Sequence, residues 1–178
     1  EDGVTILENA QVGKITASKN ARAPKVEVHT SEGKISGTHL LLATGRVANT
    51  TRLNLPAAGV EIARTPAGQL CVRTDKRLRT SNRKIFAIGD VTNGPQFTHS
   101  AGYQAGIVIR NILFHLPARA EFNALPRVTY TSPELAHVGL TELEARRRNK
   151  SVKILRWPFE ENDRARAERE TRGMVKAV

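Results

Sequence analysis

Three observations predict a chain of mixed α/β and α+β class. The segment Lys25-Val26-Glu27-Val28-His29 alternates apolar and polar residues with period two, as a half-buried strand does. The apolar run Ile85-Phe86-Ala87-Ile88 ends in Gly89-Asp90 and leads, past the turn Asn93-Gly94-Pro95, into a stretch with helical periodicity. Farther on, strand-like runs alternate with one short helix that carries its own start signal.

Taken in order, Val4-Thr5-Ile6-Leu7 is a short apolar run and reads as a strand. Ser31-Glu32-Gly33-Lys34 reads as the hairpin connection that follows the Lys25–His29 strand. Leu40 to Ala43 is continuously apolar, the pattern of a strand buried on both faces, and it stops at Thr44-Gly45-Arg46. Residues 47–84 are rich in loop formers, interrupted by one strand at Gln69-Leu70-Cys71-Val72. After the apolar run at 85–90, Ala101, Ala105, Val108, Ile109 and Ile112 recur at helical spacing and define one apolar face. Pro117 and Pro126 bracket a connector. Arg127 to Tyr130 then reads as a strand and Ser132-Pro133-Glu134 as a turn. Thr141-Glu142-Leu143-Glu144 has capping-box spacing, which predicts a helix through Arg148. Val152 to Trp157 and Gly173 to Val178 read as two further strands. There is no internal repeat and no low-complexity tract.

Composition narrows the function classes. The 178 residues suffice for one domain or parts of two. At 39% hydrophobic and 25% charged, the chain is not a disordered tail. Lys and Arg number 28 against 17 Asp and Glu, a formal net charge of +11. That balance invites a nucleic-acid-binding reading, with Arg146-Arg147-Arg148, Lys150, Arg164, Arg166, Arg169 and Arg172 as its best support. Yet the bases are scattered and interrupted by glutamates, and only 4% of residues are aromatic, too few for a base-stacking platform. Cys71 is the single cysteine, which excludes an internal disulfide, a multi-cysteine zinc site and a two-cysteine redox centre within these residues. It points to a reducing compartment, and a cytoplasmic location is expected. No apolar run approaches the roughly 20 residues of a membrane helix. The longest, Ile107 to Leu116, is cut by Arg110 and Asn111. The sequence opens on Glu1-Asp2-Gly3 without a leader pattern or an initiator Met, so a piece of a longer protein is expected.

Two stretches carry candidate chemistry. In open α/β sheets ligands bind beyond the carboxyl ends of strands. There, Asp90 can accept hydrogen bonds from sugar or polyol hydroxyls, and Gly89 removes a side chain that would hold a ligand away. The same pattern also suits a carboxylate capping a turn with Asn93. Gln96-Phe97-Thr98-His99-Ser100-Ala101 then opens a helix whose unpaired N–H groups and positive dipole end can stabilise negative charge. His99 reads equally as a first-turn polar residue without a chemical part.

Together these stretches resemble the pyridine nucleotide-disulfide oxidoreductases, the flavoprotein family that includes dihydrolipoamide dehydrogenase, glutathione reductase and mercuric reductase. The residues that carry the resemblance begin with Ala43-Thr44-Gly45-Arg46, Asn49, Leu53 and Gly59-Val60, then Arg79-Thr80-Ser81 and Ile85 to Val91. They continue through Pro126, Tyr130-Thr131-Ser132-Pro133-Glu134, Val138-Gly139-Leu140-Thr141-Glu142 with Ala145, Asn162-Asp163-Arg164-Ala165, and Gly173 with Val175-Lys176. Gln96-Phe97-Thr98 is most similar to mercuric reductase and His99 to dihydrolipoamide dehydrogenase. Ala48 departs from the family's usual proline and Ala105 from its common glycine.

The resemblance implies that residues 1–45 end an NAD(P)-binding domain, 46–118 form the returning segment of an FAD-binding domain, and 119–178 begin an antiparallel-sheet interface domain that forms a homodimer. It implies a cofactor-binding set of Gly45, Arg46, Gly89, Asp90, Phe97, Thr98, His99 and Ala101. Within that set Asp90 would bind the flavin ribitol, the Thr98 backbone would contact the flavin, and Gly45 would lie beside the nicotinamide dinucleotide. The implied activity is hydride transfer from NAD(P)H through FAD to a disulfide, metal-ion or other small-molecule acceptor. Neither nucleic acid nor membrane is an expected partner. The family's redox cysteine pair and its two Gly-x-Gly-x-x-Gly loops are not in these residues, and its His-Glu pair would fall after Val178. No catalytic or metal-ligating residue is therefore assigned, the 178 residues alone are expected to be inactive, and Cys71 is expected to be a buried, inert thiol. The alternatives are a basic nucleic-acid-binding module and a purely structural dimerisation piece.

Overall fold

The computed structural model describes residues 3–18, 25–65, 67–148 and 151–178. The chain divides into two compact units, residues 1–46 and 47–178.

The first unit is an antiparallel meander of β1 (Val12–Ala17), β2 (Val26–Thr30) and β3 (Gly33–Gly37), in that spatial order. Register explains its pattern: Ile15 pairs with Val28 and Val28 with Ile35, so one apolar row crosses all three strands on one face. The β2–β3 turn forms where expected. The Thr30 hydroxyl donates to the Gly33 carbonyl at 3.0 Å and accepts from the Glu32 amide at 3.2 Å.

Two expectations fail here. Neither Val4–Leu7 nor Leu40–Ala43 is a strand, and Leu41 and Leu42 are 87% and 69% exposed rather than buried on both faces. An apolar run becomes a buried strand only when flanking strands take up its backbone N–H and C=O groups. Among the described residues none pairs with either run.

In the second unit, β4 (Ile62–Arg64) and β5 (Leu70–Val72) form a hairpin in which Ala63 faces Cys71. Cys71 is buried, and its thiol lies 3.6 Å from the Ala63 carbonyl oxygen. Residues 85–88 run extended but make only a bridge, Phe86 to Arg79, and the chain then tightens into a 3₁₀ turn at Gly89–Val91. The expected strand at 85–90 is therefore replaced by one bridge and a turn: no strand among the described residues forms a ladder with residues 85–88, and Gly89 takes φ +70°. Its apolar residues still reach the core: Ala87 packs with Leu55, Val60 and Val72, with Ile85 and Val91 against them.

α1 spans Thr98–Leu113. Its buried face is offset by about one residue from the predicted one: Ser100, Gln104 and Ile107 are buried, Ala101, Ala105 and Val108 of the predicted face are half-buried, and Ile109 and Ile112 are 49% and 46% exposed. The helix is rolled so that two polar residues enter the interior, one turn apart, and bond to each other. Ile107 meets Leu78 and Ala120 in a second apolar cluster.

Beyond the connector, β6 (Arg127–Thr129) and β7 (Leu135–His137) pair as a hairpin around 132–134. α2 (Glu142–Arg148) begins at the predicted capping box. The Glu144 amide donates to the Thr141 hydroxyl at 3.2 Å, and the Thr141 amide and hydroxyl each donate to Glu144 Oε2 at 2.8 Å. β8 (Leu155–Pro158) and β9 (Met174–Ala177) pair antiparallel, with Trp157 opposite Val175. Between them lie a 3₁₀ turn at Phe159–Glu161 and α3 (Asp163–Glu168), whose start is capped by Asn162 accepting from the Ala165 amide at 3.0 Å. The four small sheets among the described residues are all antiparallel.

Candidate cofactor-binding turn and helix

Gly89 is held from three directions. Its φ of +70° is a conformation that favours glycine. Its amide donates a buried 2.7 Å hydrogen bond to Gln104 Oε1. Its carbonyl accepts from both the amide and the hydroxyl of Thr92, at 3.0 and 2.8 Å. A Cβ at position 89 would also lie 3.2 Å from the Ala101 methyl, so helix packing as well as backbone angle requires glycine here. Asp90 follows directly and is exposed. The turn is closed by Thr92, whose hydroxyl also accepts from the Gly94 amide at 3.3 Å.

Phe97 occupies the N-cap with extended backbone angles, its side chain makes no cap hydrogen bond, and no acidic residue lies in the first turn. The N-cap side chain therefore satisfies none of the first-turn N–H groups, and the positive dipole end is not offset by a carboxylate of that turn. Thr98 and His99 are exposed and Phe97 is half-buried. The His99 ring stacks on Phe97 with centroids 5.2 Å apart, and His99 Nε2 lies 2.8 Å from the Pro126 carbonyl oxygen.

The second unit thus joins Gly89, and with it the turn that carries Asp90, to α1 at Ala101 and Gln104, with Phe97, Thr98 and His99 at the start of the same helix. Gly45 and Arg46 close the first unit. Gly45 has φ +95° with open space around a would-be Cβ, so backbone conformation rather than crowding calls for glycine there. Gln104 is the structural residue that the sequence reading missed. The signal was available: Ser100 and Gln104 stand four apart on the helix, beside its apolar positions.

Elsewhere several basic residues are drawn into ion pairs. Glu142 Oε1 pairs with Arg146 at 2.9 Å, and its Oε2 lies 3.4 Å from both Arg156 and Lys176. The hydrogen bond from Arg146 is the main cause that holds the Glu142 carboxyl below its usual range. Arg164 is bonded to Glu168 one turn on. Part of the charge on which a nucleic-acid reading would draw is thus locally compensated; Lys150 lies outside the described residues. Among the described residues no helix is long and apolar enough to cross a membrane, and no His, Cys, Asp and Glu cluster could hold a metal ion.

Known proteins share much of this sequence and fold. Residues 1–105 match the family described as pyridine nucleotide-disulphide oxidoreductase, and residues 125–178 match the dimerisation domain of the same family. The chain is 36% identical over 178 residues to a mercuric reductase of Bacillus cereus, covering all of this chain and 28% of that protein. It is 33% identical to a dihydrolipoyl dehydrogenase of Bacillus subtilis (strain 168), over 98% of this chain and 36% of the relative. Among solved structures, the Cu(II) complex of the HOCl-induced flavoprotein disulfide reductase RclA from Escherichia coli superposes with a TM-score of 0.79 at 33% identity. That match covers 95% of this chain and 37% of the other. The chain spans about a third of the length of the relatives it matches. By the ordered match of both family segments across the sequence, it belongs to the pyridine nucleotide-disulphide oxidoreductase family.

Proposed function

We infer that these residues are part of an FAD-dependent oxidoreductase that passes hydride from NAD(P)H through flavin to a disulfide or metal-ion acceptor. The observation that carries this reading is the Asp90 turn fastened through Gly89 to the helix that begins at Thr98 with no acidic residue in its first turn. The residues present suit a flavin. A carboxylate next to a buried, rigid glycine offers acceptors to ribitol hydroxyls, and a helix start without a first-turn carboxylate suits a polar or anionic ring edge. Gly89, Asp90, Phe97, Thr98, His99 and Ala101 would hold the flavin, Gly45 would lie beside the nicotinamide dinucleotide, and Arg46 would complete the cofactor-binding set. When bound, the flavin supplies the hydride and electron chemistry, and the protein supplies its placement and electrostatics.

The disulfide or metal-ion class of acceptor is consistent with relatives named mercuric reductase and dihydrolipoyl dehydrogenase. A homodimer through residues 119–178 and a cytoplasmic location belong to the same proposal, as do the boundaries after residues 45 and 118. The test is to purify the full-length gene product that carries this chain. A yellow protein with bound FAD and NAD(P)H-dependent dye reduction is expected; a colourless protein that takes up no flavin would overturn the reading. The 178 residues alone are expected to bind FAD weakly or not at all and to lack dye reduction.

A further inference from the structure

We propose that Gln104 is a positioning residue, which fixes where Asp90 stands relative to the start of α1. Gln104 is fully buried, and so is Ser100 one turn before it. The Gln104 side chain uses both ends of its amide. Oε1 accepts from the Gly89 amide at 2.7 Å, and Nε2 donates to Ser100 Oγ at 3.2 Å. The backbone at Gly94, on the far side of the turn, comes close enough that a Cβ there would lie 3.3 Å from Gln104 Nε2. Gln104 therefore sits between the two glycines that bound the Asp90 turn and ties that turn to the first turns of the helix.

An apolar side chain of equal length would fill the space but leave the Gly89 N–H buried without an acceptor, and the turn would have to move to reach water. The part of the inference that concerns cofactor placement rests on the proposed flavin site; the mechanical part does not. No atom of Gln104 needs to touch a ligand for it to act.

The mechanical part is tested in this chain by amide hydrogen exchange. Gln104→Met is expected to speed exchange at Gly89 by about tenfold or more and to leave the amides around Leu55 and Val60 unchanged. Gln104→Glu, which keeps an acceptor, is expected to restore protection. Ser100→Ala gives an independent, milder probe should the Met variant fold poorly, and is expected to raise Gly89 exchange. Unchanged exchange at Gly89 in the Met and Ala variants would overturn the proposal.

The cofactor part is tested in the full-length gene product by FAD affinity, read from flavin fluorescence, in a double-mutant cycle of Gln104→Met with Asp90→Asn. Non-additive losses are expected, because one residue would act through the other. Strictly additive losses would overturn the link to Asp90. A wild-type product without flavin, together with the expected exchange pattern, would refute the flavin reading while leaving the hold of Gln104 on the turn intact.

Discussion

The Gly89 backbone and the Ala101 methyl group approach so closely that a Cβ at residue 89 would lie 3.2 Å from the Ala101 Cβ. This contact sets the spacing between the Asp90 turn and α1. Gly89→Ala is therefore expected to destabilise the chain by about 1–3 kcal/mol, from the strain at φ +70° plus the crowding. Ala101→Gly alone is expected to cost about 1 kcal/mol of helix propensity. The double variant should be more stable than the sum of the two predicts, because the crowding is relieved while the backbone strain remains. Denaturant unfolding of the four proteins measures this; simple additivity would show that the contact is not felt.

Asp90 is expected to contribute to cofactor affinity: it is exposed, on a turn that the buried hydrogen bonds of its neighbour Gly89 hold in place. In the full-length gene product, Asp90→Asn should weaken FAD binding by roughly tenfold or more, the worth of hydrogen bonds to a charged acceptor. Equal affinity in the two proteins would remove Asp90 from the site.

What the sequence disclosed followed the range of the forces involved. The hairpin at 31–34 and the Thr141–Glu144 capping box were legible because each is decided within four residues of chain. Leu40–Ala43 was misread because strand formation depends on partners that local apolarity does not reveal. The buried face of α1 was legible only in part, at Ala101, Ala105 and Val108, for a related reason. Hydropathy placed Ile109 and Ile112 inside, whereas the interior at this point accepts Gln104, since Gly89 and Ser100 satisfy its amide. The ordered family motifs located the glycine turn and the helix start, but a buried polar tie between them is a matter of tertiary geometry.

His99 joins the first turn of α1 to the connector ahead of β6 through Nε2 and the Pro126 carbonyl, and it stacks on Phe97. His99→Phe keeps the stack and removes the polar contact. A loss of about 0.5–1 kcal/mol is expected, the net worth of one exposed neutral hydrogen bond. Faster amide exchange in the first turn of α1 should accompany it. A variant as stable as the wild type, with unchanged exchange there, would show that the contact carries no weight.

The start of α2 should be sensitive to acid. Hydrogen bonds from the Thr141 amide and then the Thr141 hydroxyl hold the Glu144 carboxyl below its usual range, with burial acting weakly in the other direction. A carboxyl depressed in the folded state contributes stability above its unfolded value, near 4.3, and loses it as pH falls through the lower folded value. Protection of the first-turn amides of α2 should therefore hold from neutral pH down to about pH 4 and decline below it. Glu144→Gln can still accept from the Thr141 amide but cannot titrate, so its profile should be flatter over the same window. Thr141→Val removes the hydroxyl that accepts from the Glu144 amide, and should lower protection at neutral pH as well. Exchange measured against pH in the three proteins decides it: parallel profiles for wild type and Glu144→Gln would mean that another carboxylate governs the acid response, with Glu142, paired to Arg146, next in line.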